Sequence, residues 1–201
     1  MFPWQLIRSN KGSLRLRSLL PYASLSPVIS GELLTRLSIW AALCAYGIGA
    51  GSVLLARHHS NLQRIARLAW TAACFFLLIH ISLAFHHYHD WSHVDAYRDT
   101  ARQTAEMTGL NWGGGVFLNY LLAMLWLADV VYWWITPGRH AQRPRWITVV
   151  WHGFVFFMVF NGTVVFGKGP VRWFGIALTA GLVLIWWRTR NSGIATQTSA
   201  R

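Results

Sequence analysis

The sequence predicts an all-α integral membrane bundle, and three observations carry that prediction. Charged residues make up 12% of the chain, about half the roughly 25% usual for soluble domains. Hydrophobic residues make up 54%, with 13 tryptophans among them. Five apolar segments approach or reach the roughly 20 residues needed to cross a bilayer: Leu37–Ala56, Leu68–Tyr88, Gly115–Ile135, Ile147–Phe166 and Val171–Trp187. Lipid supplies no partner for an unpaired backbone group, so each segment is expected as a helix. Trp112, Trp133, Trp134, Trp146, Trp173, Trp186 and Trp187 gather near segment ends, as amphipathic rings do at a membrane interface.

The net charge of +12 does not point to nucleic acid. A binding domain gathers its Lys and Arg on one face, whereas here they stand in short clusters between apolar runs. Those clusters set an orientation. Residues 57–67, residues 137–145 and the tail after Trp187 are rich in Arg and free of acid. Residues 89–114 hold four acids against two arginines. The positive-inside rule puts the basic loops in the cytoplasm and the acidic loop outside. With five spans the N-terminus is then external and the C-terminus cytoplasmic, in a plasma (inner) membrane of the bacterial type. The expected partners are the lipid bilayer and other membrane subunits, or further copies of the chain.

The organisation is read as a basic tail over 1–36, a five-span domain over 37–188 and a polar tail over 189–201. The first tail, with Arg8, Lys11, Arg15 and Arg17, would lie outside, against the same rule. Its composition fits an amphipathic segment on the membrane surface, a transit peptide or a false start upstream of the true one.

The external loop is expected to hold a further short helix. Ser92 with Asp95 reads as a variant capping box, and Gly109 as a helix stop. Between them Val94, Tyr97, Ala101 and Ala105 share one face. Gly47 and Gly51 form a GxxxG step in the first span, and Ala177 and Gly181 a looser one in the fifth; both predict close helix packing. Cys44 and Cys74 differ by about 9 Å in depth, which excludes a disulfide.

Ionisable groups inside a span are costly and are functional candidates by default. Here they are His80, Asp129 and His152, with Asn119 and Asn161 as polar companions. Asp129 lies roughly 10 Å above the cytoplasmic end of its span, and His152 about 8 Å above the start of the next. These matching depths predict an intramembrane pair, Asp129–His152, acting as a structural lock or a proton site. His80 lies higher, at the level of Asn161, so a hydrogen bond between those two is expected.

The stretch AFHHYHDWSHVD from Ala84 to Asp95 holds four histidines and two aspartates. At 100° per residue His80 and His87 fall about 20° apart on one stripe. His86, His89, Asp90 and His93 fall on another within about 100°, at the external membrane surface. Three imidazoles and a carboxylate are a sufficient ligand set for Zn, Fe or Cu, and a metal-bound water would be a nucleophile. The competing expectation is an unmetallated polar cap, with Ser92 bending the chain through the group.

A b-type haem on His80 or His87 with a second ligand stays open. His80 and His152 differ by about 10 Å in depth, which weighs against the two sharing one iron. Ser82-x-x-x-His86 resembles the SxxxH element of the membrane hydrolase superfamily of alkaline ceramidases and adiponectin-type receptors. That resemblance would offer Asp129 as a further site residue. The superfamily has seven helices and a late HxxxH pair, and the last spans here contain no such pair.

Two functional classes follow. The first is a noncatalytic subunit, assembly factor or transport-type component. The second is a metal- or haem-dependent membrane enzyme centred on the external histidines. No Walker loop, GxSxG or polar Cys nucleophile is present to complete a catalytic set, which favours the first.

Overall fold

A computed structural model of the protein describes residues 31–55 and 60–198. The basic tail up to residue 30 lies outside the described residues. The described chain is all helical: α1 (Gly31–Leu55), α2 (Ser60–Tyr88), α3 (His93–Thr108), α4 (Gly115–Ile135), α5 (Pro137–Ala141), α6 (Arg145–Phe160) and α7 (Pro170–Thr198). A π-helical turn, Asn161–Val165, continues α6. Five of these helices are long and apolar enough to cross a membrane, namely α1, α2, α4, α6 with its π turn, and α7. The bundle therefore has an α3 end, where the acidic loop lies, and an α5 end.

Helix ends follow local chemistry more closely than hydropathy. The segment starting at Leu37 begins helically at Gly31, and the one starting at Leu68 begins at Ser60. Arg64 and Arg67 thus belong to the first turns of α2, where a straight-chain residue is a good helix former. The third segment matches α4 end to end. In α3, Ser92 accepts from the Asp95 N–H at 3.2 Å, and Gly109 closes the helix at φ 78°. Side chains that hydrogen-bond locally and a residue free of Cβ are what those two positions require.

The buried face of α3 differs from the one expected. Ala96 and Ala101 are buried, whereas Val94 and Tyr97 are exposed. The reason is the close approach of α3 to the start of α4. A Cβ on Gly113 would strike the Tyr97 carbonyl oxygen, and one on Gly115 would meet the Thr100 methyl at 3.1 Å. Only small residues fit at that seam.

Packing is uneven. The largest interface is between α1 and α2, while α6 meets α7 chiefly through its π turn and sends Trp151 and Val155 into the core. In α1 the faces divide by glycine. A Cβ on Gly49 would lie 3.2 Å from the Trp70 backbone nitrogen of α2, while Gly47 and Gly51 meet Leu178 and Ile185 of α7. The GxxxG step thus seats α7, and Gly49 between its members seats α2. The looser step is different: nothing lies within 4 Å of a Cβ on Gly181. Across the centre Tyr46, Trp70, Trp126, Trp151 and Val155 form the buried core, with Trp70 and Val155 fully enclosed.

Gly49→Leu is expected to push α1 off α2 and destabilise by about 1–3 kcal/mol, the usual range for overpacking. Gly181→Leu should leave stability unchanged. Thermal unfolding of the two variants in detergent checks the contrast, and equal melting temperatures would contradict the packing described.

Candidate functional site

Asp129 organises the α5 end. It lies on the face of α4 towards α2, and its side chain is 9% exposed. Pro137 starts α5 two residues after α4 ends, where a missing N–H and a fixed φ suit a first helical turn. The short helix carries the chain back over the bundle. His140 and Arg143 thereby reach the carboxylate from the loop side. Arg143 Nη1 donates to Oδ1 at 2.6 Å, and His140 Nε2 to the same oxygen at 3.3 Å. From α2, Trp70 Nε1 donates to Oδ2 at 2.9 Å.

The second ring of contacts holds these donors. Trp133 stacks on His140 with centroids 4.4 Å apart and planes 5° from parallel. Arg143 Nε donates to Thr148 Oγ1 at 3.0 Å, and its Nη2 lies 3.4 Å from His152 Nε2. A guanidinium only donates, so His152 accepts at Nε2 and carries its proton on Nδ1. The His152 ring meets Trp70 edge-on at 4.9 Å. A carboxylate with three donors on two oxygens is well satisfied where lipid would offer none. Arg143, not direct contact, links Asp129 to His152.

Sequence reasoning placed Asp129 and His152 at one level but missed Arg143, His140 and Trp70. Arg143 enters the sequence reading only as loop charge, and His140 does not enter it. The signal that could have found them is the shortness of the 136–144 connection, which keeps its side chains within reach of Asp129. Nothing in the sequence singled out Trp70 among 13 tryptophans.

At the α3 end the four expected metal ligands part. Asp90 and Trp91 both have positive φ, 44° and 61°, and they turn the chain sharply out of α2. The turn is held by Trp91 N–H donating to Phe85 O at 3.1 Å and Ser92 N–H donating to His89 O at 2.6 Å. His93, now on α3, places Nδ1 2.9 Å from the Tyr120 hydroxyl of α4. His89 faces Asp99, Nδ1 to Oδ2 3.5 Å, and packs on Phe85. His86 is exposed beside the rings of His87 and Trp91. The His87 ring covers Gly31 at the start of α1. Asp90 is exposed. Among the described residues no three His, Cys, Asp or Glu side chains converge as a metal-holding group. The shared stripe requires one continuous helix; the left-handed turn at Asp90 and Trp91 breaks it, and Ser92 caps a new helix as the competing expectation has it.

His86 belongs to the α3 end and Asp129 to the α5 end, so the pairing that the hydrolase resemblance would need is not formed. The expected His80–Asn161 bond is replaced as well. His80 Nδ1 lies 3.0 Å from Thr35 O, and Asn161 Nδ2 donates to Phe157 O at 2.8 Å. A carbonyl oxygen only accepts, so His80 donates through Nδ1. Both residues nevertheless line one cavity, together with Asn119.

That cavity is partly open and has a volume of about 620 Å³, within the 300–1,000 Å³ usual for small-molecule sites. It runs from Thr100 and Thr104 of α3 to Ala73, Tyr46 and Trp126 at mid-bundle, with the π turn forming one wall. Such turns recur at functional sites because they break helix regularity. A second recess of about 590 Å³, lined by Asp129, Tyr132, Arg139 and Arg143 among others, opens at the α5 end. The layer between them is aromatic. Trp126 lines the first cavity and packs on Trp70 with centroids 4.7 Å apart. Trp70 bonds Asp129, which lines the recess.

Asp129→Asn is expected to destabilise the protein by about 3–5 kcal/mol, because it leaves the Arg143 charge buried without its counter-ion. Asp129→Leu with Arg143→Met should recover most of that loss. Unfolding in detergent checks both. A stable Asp129→Asn variant that has lost a measured proton flux would overturn the structural role.

Compared with family models, curated proteins and solved structures, the chain matches none.

Proposed function

We propose that this chain is a noncatalytic, transport-type component of a membrane, with the α3 end outside and the α5 end in the cytoplasm. The observation that carries the reading is the pair of recesses, one towards each end, separated by the Trp70–Trp126 layer. A cavity open towards one side and closed by a latched layer is the arrangement that moving a molecule across a bilayer requires.

The orientation rests on charge. Arg139, Arg143 and Arg145 stand at the α5 end, and Asp90, Asp95, Asp99 and Glu106 at the α3 end, as the positive-inside rule orders them. An assembly or subunit role would use the exposed faces of the same helices, and the fit of α1 between α2 and α7 gives it no separate support. The enzyme reading with a metal at the external histidines lacks a converged ligand set among the described residues.

Cysteine accessibility tests the proposal in a Cys44→Ser, Cys74→Ala background. A membrane-impermeant thiol reagent should modify Asn119→Cys only from outside and Ala128→Cys only from the cytoplasmic side. Modification of both from one side, or of Asn119→Cys from neither, would sink the reading.

A further inference from the structure

Positive and negative charge are divided between the two ends of the bundle. The chain has six acidic residues. Five of them, Glu32, Asp90, Asp95, Asp99 and Glu106, stand at the α3 end. The sixth, Asp129, faces the α5 end, where Arg64, Arg139, Arg143, Arg145 and Arg190 gather. Arg143 already balances the Asp129 charge, and both carboxylate oxygens carry donors. No further Asp or Glu exists in the chain to pair the other arginines.

Arg139 joins that excess charge to a recess. The open recess of about 590 Å³ at the α5 end has Arg139, Gln142 and Arg143 of the connection on one side and Ala128, Tyr132 and Ile147 of the spans on the other. Arg139 is exposed, and its side chain has no hydrogen bond or ion pair with a described residue. The Gln142 amide is exposed and unbonded in the same way. Ala128, Tyr132 and Ile147 are exposed too, on helices whose outer faces meet lipid. Exposed Trp134 and Trp146, at the adjoining ends of α4 and α6, put this level at the membrane interface. The recess thus has a cationic, hydrogen-bonding rim and an apolar wall that continues the lipid-facing surface.

We propose that the recess binds one anionic phospholipid, its phosphate at Arg139 and Gln142 and an acyl chain along Ala128 and Ile147. Basic pockets between spans hold acidic headgroups in this way. A free phosphate would use the rim and leave the wall bare. A zwitterionic lipid brings its own cation to the rim and gains less there. The site goes beyond the transport reading and does not depend on access from the α3 end.

Labelling of Ala128→Cys by a neutral maleimide, in the full chain with Cys44→Ser and Cys74→Ala, tests it in detergent micelles. Dioleoylphosphatidylglycerol should slow the modification at least fivefold at a concentration where dioleoylphosphatidylcholine slows it less than twofold. Leu127→Cys is exposed but outside the recess, and the two lipids should slow it equally. Arg139→Gln should raise the phosphatidylglycerol concentration needed for half-protection of Ala128→Cys about fivefold, the contribution of one interfacial cation. Arg64→Gln is the control, also exposed at the α5 end but away from the recess, and should leave that concentration unchanged.

Equal protection of Ala128→Cys by the two lipids would overturn the proposal. Equal effects of the two arginine substitutions would do the same, by showing general attraction to a basic surface. Inorganic phosphate should not protect; protection matching that of phosphatidylglycerol would assign the recess to a free anion and sink the lipid occupant. Protection by phosphatidylglycerol with no external labelling of Asn119→Cys would sink the transport reading and leave this site standing.

Discussion

Lipid leaves a buried carboxylate nowhere to turn except to the protein, and much of the α5 end of this bundle is arranged around that constraint. Asp129 draws one donor from α2, one from α5 and one from the segment before α6. Three otherwise separate pieces of chain are thereby fixed to α4. Breaking any one connection leaves a polar or charged group stranded in a medium of low dielectric. The lock also explains the shape of the connection. A five-residue helix folded back under the bundle has little apolar surface to hold it there, and the His140–Trp133 stack with the Asp129 contacts does so instead.

The fold class was legible because hydropathy and helix length are properties of the chain itself. Five apolar runs of about the right length admit few solutions in lipid, and the α3 caps at Ser92 and Gly109 announce themselves by residue type. The site was legible only in part. Matching depth put Asp129 and His152 together in outline, since rise per residue is fixed. Depth says nothing of azimuth or of loops, so Arg143 went unseen although it stands between them. The histidine run failed for a related reason. Periodicity extends a helix face only while the helix lasts, and two consecutive left-handed residues, Asp90 and Trp91, end it.

The cavity was not legible at all, because it arises from what fails to pack. α1 and α2 close tightly through Gly49, and α4 joins them through Trp126 and Leu122. The π turn that continues α6 brings Asn161 and Thr163 to the wall. Thr163 returns its hydroxyl to Val159 O at 2.7 Å and packs against Gly175 of α7. The turn is thereby tied to α7 while it faces the space. The space left between these contacts is a volume that no single residue marks.

Trp70 and Trp126 hold the two halves of the molecule to each other. They are adjacent rings in one aromatic layer, yet one indole N–H is bound to the Asp129 carboxylate and the other to nothing in the protein. A shift of Trp126 must therefore be accommodated by Trp70, whose own movement stretches the bond to Asp129. Close-packed aromatic layers yield in steps, not continuously. The lock at the α5 end and the cavity towards the α3 end thus share a layer one tryptophan thick on each side.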